Sequence, residues 1–502
     1  MTPLRLSTLA LLLATAAAAP ALSADLRIGL QDDADILDPD QSRTFVGRIV
    51  YTALCDKLVD ITPGLEITPQ LATGWTWSDD GKTLTMTLRE GVVFHDGTPF
   101  DAAAVKANIE RSKTLPESRR KSELASVDTV EVTGPFEVAL TLSAPDATLM
   151  AQLADRAGMM VSPTAAAVGA DFGLAPVCSG PFRFVERVQQ DRIVLERFAD
   201  YWNADAIKLD RVIYLPIPDT TVRLANLRSG DLDMIERLAA TDVAQASADP
   251  NLAVMKIDGL GYQGVTVNIA NGDRAATPVG RDARVRQAFS LAIDRAALNQ
   301  VVFDGVFTPG VQPFPPSSPW FDARNPVPAR DVAAAKALLA EAGIDRLAVE
   351  VQVANNPVQQ NLMQVIQAMV AEAGFDVTLQ AKEFATLLAD QSAGAYQMSQ
   401  VGWSGRVDPD GNIHQFATCA GGINDSKFCD PAVDALLNAA RVMPDPAARK
   451  AQYDAANAIL SVQNPIIYLY HQPWIWAMDR KVAGFVPYPD GMIRLEGVTR
   501  AE

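Results

Sequence analysis

The sequence predicts a two-lobed α/β protein with α+β portions, and three observations carry that prediction. The first half alternates apolar and polar residues around tight turns, the pattern of antiparallel strands. The second half interleaves helical and extended periods as a βαβ unit does, which requires parallel sheet. The chain has 502 residues, 48% of them hydrophobic, enough for two or three cores rather than one.

The N-terminus reads Met1-Thr2-Pro3-Leu4-Arg5, then runs uncharged over residues 6–19 and continues in small residues to Ala24. This layout predicts a secretory signal peptide over 1–24 with the mature chain starting at Asp25, and a cut after Ala21 fits almost as well. No Cys stands at the cut to take a lipid anchor, so a free periplasmic protein is expected. No later uncharged apolar run reaches the roughly 18 residues of a membrane span. Sixty acidic side chains face 43 Lys and Arg, a net charge of −17. Such a protein repels phosphate backbones and anionic lipid, which argues against nucleic acid and against membrane insertion.

Past the leader, residues 25–30 alternate as a strand, and the acidic stretch 31–41 is a loop. Around Asp80-Gly81 two period-2 runs form a hairpin, because Asp-Gly tolerates the positive φ its turn needs. Residues 129–132 and 137–142 are a second strand pair across Thr133-Gly134-Pro135-Phe136. Later, 329–342 is a helix stopped by Gly343, and 347–353 is a strand. Leu362, Val365, Ile366, Met369, Val370 and Ala373 recur at helical spacing up to Gly374, and 375–379 is again extended.

Four cysteines in an exported chain are expected to form disulfides, and three pairings are open to them. Cys419 and Cys429 can close a small loop, which the chain-entropy model values at about 3 kcal/mol. Cys55 and Cys178 would then pair by elimination.

Little in the sequence looks catalytic. The three histidines, His95, His414 and His471, have no partner at metal-ligand or triad spacing. Gly-Lys-Thr at 81–83 has the wrong separation from Gly74 for a P-loop, and Gly402-Trp403-Ser404-Gly405 lacks a residue needed for a nucleophile elbow. Asp408 and Asp410 read as a solvated loop rather than a glycosidase pair. No catalytic residue, resident metal or cofactor is assigned.

Several blocks resemble the peptide/nickel class of ABC-transporter solute-binding proteins. They are Trp77-Ser78-Asp79-Asp80-Gly81-Lys82-Thr83 through Phe94-His95-Asp96-Gly97-Thr98-Pro99-Phe100, Ser179-Gly180-Pro181-Phe182, Leu227-Arg228-Ser229-Gly230-Asp231, and Val285-Arg286-Gln287-Ala288 through Asp294-Arg295. They occur in family order across nearly the whole chain after the leader. The resemblance implies a type II, large peptide-binding-like periplasmic fold. Lobe one would span 25–267, with an inserted subdomain at roughly 64–178, lobe two 268–484, and 485–502 would return to lobe one. Crossings near Asn268 and Gly484 would form the hinge. It implies a monomer that captures a small organic solute by closure and delivers it to an inner-membrane ABC permease with its ATPase. A sensing receptor of the same fold, or a nickel-complex binder using His414 or His471, are the alternatives; a hydrolase is not supported.

The same resemblance points to residues 401–411. In peptide-binding members a Gly-Trp-containing run here is followed by an Asp that holds the ligand ammonium, and this sequence has Arg406. The Arg that receives the peptide carboxylate in dipeptide binders is matched only by Asn355 and Asn356. Both anchors for a free peptide are therefore absent. Arg406 should meet an acidic group of the ligand, as in a modified peptide or opine-like solute, or else pair with Asp408 or Asp410. Trp403 either stacks on the ligand or belongs to the core. Ser404, Gln31, Asp32, Asp33, Thr44 and Asn268 complete the expected polar contacts.

Overall fold

The computed structural model describes residues 24–501. The expected leader over 1–24 lies outside the described residues apart from Ala24. The chain forms a mixed α/β structure around two principal sheets, the two-lobed type II fold that the resemblance implies.

The seven-stranded sheet of lobe one has the order Leu252–Ile257, Trp474–Asp479, Met234–Ile235, Asp25–Leu30, Arg211–Pro216, Arg192–Arg197, Phe182–Val188. Asp25–Leu30 is parallel to both its neighbours, while the outer pairs are antiparallel. The six-stranded sheet of lobe two runs Thr308–Pro309, Ile466–His471, Tyr262–Val267, Met398–Trp403, Leu347–Ala354, Phe375–Lys382. Its last two strands are parallel, joined by the helix Pro357–Ala371, as the helical period after residue 357 predicts. That helix starts cleanly because Asn356 caps it by accepting from the Gln359 amide (3.0 Å) and Pro357 sits where no donor is needed.

The hairpin around Asp80-Gly81 and the pair Val127–Gly134 with Glu137–Leu142 assemble into one four-stranded sheet. It shares a core of its own with the helix Ala102–Thr114, inside the span expected for the inserted subdomain. The block from Val285 to Arg295 spans two helices: Ala283–Leu291 ends within it, and Asp294 caps a new one, Arg295–Phe303. Both disulfides, Cys55–Cys178 and Cys419–Cys429, are formed.

The lobe boundaries need correction. Tyr262–Val267 pairs within the lobe-two sheet, although it was expected at the end of lobe one. Trp474–Asp479 pairs within the lobe-one sheet, although it was expected in lobe two. The crossings therefore fall at 258–261 and 472–473, not near Asn268 and Gly484. Tyr262–Val267 is buried at every position and Trp474–Asp479 at all but the last, so neither displays the alternation that would mark one outward face. The tail from residue 485 adds Phe485, Met492, Ile493 and Leu495 to the lobe-one core.

The lobes are closed on each other. Arg43 of lobe one pairs with Asp425 of lobe two at 2.6 Å, and the Ala147 amide donates to the Arg441 carbonyl at 2.8 Å.

Candidate functional site

The cleft between the lobes holds about 1110 Å³ of empty space, part of it open to solvent. Its walls are built from the carboxyl ends of strands, where α/β sheets place their ligands. Asp25–Leu30 delivers Gln31 and Asp32, Met398–Trp403 delivers Trp403 and Ser404, and Leu347–Ala354 delivers Ala354 and Asn356. Gly405 has φ of 89°, and a Cβ there would lie 2.4 Å from the Leu260 carbonyl carbon. The turn that presents Trp403 and Ser404 thus rests directly on the first crossing between lobes and requires glycine.

Aromatic rings line part of the cleft. Phe45 stacks on Trp474 with centroids 4.4 Å apart, and the Arg237 guanidinium sits 4.7 Å above Phe45. Trp403 meets Phe416 edge-on at 4.9 Å and donates from Nε1 to Asn412 Oδ1 at 3.1 Å. Its ring is covered by Arg406, whose guanidinium carbon lies 4.1 Å from the centroid. Trp403 is therefore both a lining residue and a packed one.

Behind this wall lies a cluster of buried charge. Arg48 binds Asp155 through Nε (3.1 Å) and Nη2 (2.6 Å), and Arg406 reaches the same carboxylate from the other lobe through Nε at 2.7 Å. Arg48 and Arg406 both donate to Ser404 Oγ, at 3.1 and 3.3 Å. Arg156 donates to the Ser42 carbonyl at 2.7 Å, and Arg120 pairs with Glu123. Arg48, Arg120, Arg156 and Arg406 are all buried, as are Asp155 and Glu123. Four guanidiniums thus face two carboxylates. Burial opposes the Asp155 charge, yet Arg406, Arg48 and Arg156 outweigh it and hold that carboxyl well below the usual range. Burial and then Arg120 bring Arg156 down to about 10, and burial and then Arg48 depress Arg406 well below its ordinary value. Arg120 Nε, Arg156 Nε and Arg406 Nη2 have no hydrogen-bond partner among the described residues. Arg120 and Arg156 line the cleft.

A second charged group lies beside Gln31 and Phe45. Asp32 lines the cleft and has no ion-pair partner among the described residues. Its only side-chain hydrogen bond among the described residues is a long one from Gln31 Nε2 at 3.4 Å. Burial raises its carboxyl to about 6. Glu236, next to it, accepts from the Gln31 amide at 2.6 Å.

Of the residues singled out in the sequence, Gln31, Asp32, Trp403 and Ser404 line the cleft. Arg406 does not, and its partner is Asp155 rather than Asp408 or Asp410. Asp408 is held by Arg449 (2.7 and 2.9 Å) and Asp410 by Arg441 (2.7 and 2.9 Å). Asp33 pairs with Arg187 at 3.0 Å, and Thr44 caps the helix Phe45–Leu54. Asn268 ties its side chain to the Asn271 and Tyr396 carbonyls, both at 2.9 Å. Asn355 is exposed, and it is Asn356 that lines the cleft. His414 and His471 are buried against Asn438 Oδ1 and the Gly261 carbonyl and do not line it. No group of three or more His, Cys, Asp or Glu among the described residues could hold a metal.

Arg43, Arg120, Arg156 and Arg237 line the cleft and were not singled out from the sequence. One signal could have found Arg156. Asp155-Arg156 stands between Leu153-Ala154 and Ala157-Gly158-Met159-Met160, a charged pair inside an apolar stretch, and such a pair marks burial.

Residues 66–424 match the family model of bacterial extracellular solute-binding proteins, family 5. The glutathione-binding protein GsiB of Salmonella paratyphi A is 29% identical over 489 residues, covering 94% of each chain. A solved periplasmic binding protein AgaA from A. tumefaciens R10, in complex with agropinic acid, is 28% identical with TM-score 0.84, covering 95% of this chain and 99% of that one. The dipeptide-binding protein of Pseudoalteromonas sp. SM9913 in complex with Met-Leu superposes with TM-score 0.89 at 23% identity, covering 95% and 100%.

Proposed function

This chain belongs to the family 5 bacterial extracellular solute-binding proteins, and on that premise we propose that it captures an organic solute carrying acidic groups for an ABC importer. Proteins of this family bind and deliver solutes to a permease and its ATPase; they are not enzymes. Relatives of this kind are extracellular or periplasmic, and no described helix is long and apolar enough to cross a membrane.

The acidic ligand rests on one observation. Four buried guanidiniums share two carboxylates; two of the four, Arg120 and Arg156, line the cleft, and each also leaves a fully buried Nε without a partner among the described residues. Buried charge of one sign is costly unless a counter-charge arrives, and a carboxylate suits the planar donor array of arginine. Arg406 supports this anchor from behind, through Asp155. The names of two relatives agree with it: glutathione carries carboxylates, and agropinic acid is an acid.

Native mass spectrometry of the exported protein, before and after denaturation, identifies what it carries. Calorimetric titration then compares acidic candidates, glutathione first, with their carboxyl esters on wild type and on Arg120→Gln. The acids should bind at least about tenfold more tightly than the esters, a preference that Arg120→Gln removes. Esters binding as well as acids to the wild type would sink the reading.

A further inference from the structure

We propose that the cleft recognises a zwitterion, with a protonated amine held by Asp32 while the acidic groups meet Arg120 and Arg156. This deepens the acidic-ligand reading and rests on it.

Asp32 is 6% exposed, lines the cleft and has no ion pair among the described residues. A buried carboxylate in that position is under-compensated, and a charge-assisted donor from a ligand is what it lacks. The charged groups bearing most on it are Arg237, Glu236, Arg223 and Glu383. Arg223 is spoken for, donating to the carbonyls of Ile217 (2.5 Å) and Arg237 (3.1 Å). Arg237 leans on Phe45 and Trp474 and contacts Glu236 at 3.4 Å. With Asp32 these groups make three carboxylates against two guanidiniums, one negative charge in excess.

The arginine cluster is a different group of charges lining the same cleft. The groups bearing most on Arg156 are Arg120, Asp155, Arg48 and Glu123. That cluster carries two positive charges in excess. A ligand complementary to both parts has two acidic groups and one ammonium, net charge −1. The chemical class is an amino-acid derivative with a free amine and two carboxylates, such as a γ-glutamyl peptide. Gln263, Asn356, Gln359 and Gln400 line the same cleft and supply further amide donors and acceptors.

The test titrates wild type and Asp32→Asn with glutathione, γ-glutamylglycine and the N-acetyl form of each, which keeps both carboxylates and removes the ammonium. N-acetylation should weaken binding to wild type by about thirtyfold, and Asp32→Asn should weaken the parent compounds to a similar degree while leaving the acetylated forms nearly unchanged. Acetylated and parent compounds binding wild type equally overturns the proposal, even if Asp32→Asn fails to fold, and leaves the acidic-ligand reading standing. Binding of neither parent also overturns it. Esters of the parents binding as tightly as the acids defeats the acidic-ligand reading itself, which separates the two failures.

Discussion

Individual side chains in this cleft have roles that can be told apart by how their removal is read. Arg406 does not line the cleft and touches Asp155 across the lobes at 2.7 Å, so Arg406→Ala should weaken every ligand by about the same factor. Because Asp155 keeps Arg48, the loss should be about tenfold rather than the several kcal/mol of a stranded buried charge. Calorimetry on an acid and its ester checks this: equal factors for the two place Arg406 in closure, whereas selective loss of the acid would make it a direct anchor. Asp56 gives a prediction about stability. Its buried carboxylate accepts from Trp202 Nε1 (2.6 Å), Gln70 Nε2 (3.1 Å) and Tyr201 OH (3.2 Å) but has no ion pair among the described residues, and burial raises it to about 8. The folded pKa lies above the unfolded one, so this group's stabilising effect is full below about pH 4 and declines as pH rises toward 8, by at most about 1.4 kcal/mol per unit. Denaturant titrations between pH 5 and 8 should show a shallower decline for Asp56→Asn than for wild type, and parallel slopes would refute it.

At the level of elements, what could be read in the sequence was whatever is encoded locally. The Asp80-Gly81 hairpin, the strand–helix–strand from Leu347 to Lys382 and the Gly343 helix stop all follow from period and turn chemistry within a few residues. Sheet membership does not, because Tyr262–Val267 and Trp474–Asp479 are buried almost throughout and could join either lobe on pattern alone. The site divides the same way. Gln31, Trp403 and Ser404 sit at strand ends that sequence comparison can locate. Arg120 reaches the cleft from a loop and Arg156 from the short 3-10 turn Arg156–Gly158, and Arg119-Arg120-Lys121 looks like any solvated basic run. The turn 402–405 shows how an element depends on its neighbour: Gly261 lies so close to it that an added Cβ would sit 1.8 Å from the Trp403 carbonyl oxygen. Gly261→Ala should therefore lower the melting temperature by several degrees, corresponding to roughly 1–3 kcal/mol of strain, and weaken ligand binding as Trp403 and Ser404 shift. An unchanged melting curve would show that the crossing yields more readily than its packing implies.

For the molecule as a whole, the arginine surplus bears on when the lobes close. With the lobes apart, lobe one carries Arg48, Arg120 and Arg156 against Asp155 and Glu123; closure brings Arg406 into the same buried volume. Asp155 attracts it, but Arg48 and Arg156 repel it, and in a low-dielectric interior that repulsion is felt strongly. The Arg406–Asp155 contact favours closure, but the surplus of positive charge offsets part of it in an empty cleft, and an incoming carboxylate supplies the charge that lets the two crossings at 258–261 and 472–473 bend fully. A ligand shifts such an equilibrium only by its differential affinity for the closed form, and an anion contacting the cluster has that preference built in. Removing one positive charge should make empty closure easier. Small-angle scattering of ligand-free protein should give a smaller radius of gyration for Arg120→Gln than for wild type, with a correspondingly smaller contraction when glutathione is added. If both empty proteins have the same radius, the charge surplus does not govern closure, and the hinge segments themselves must hold the lobes apart.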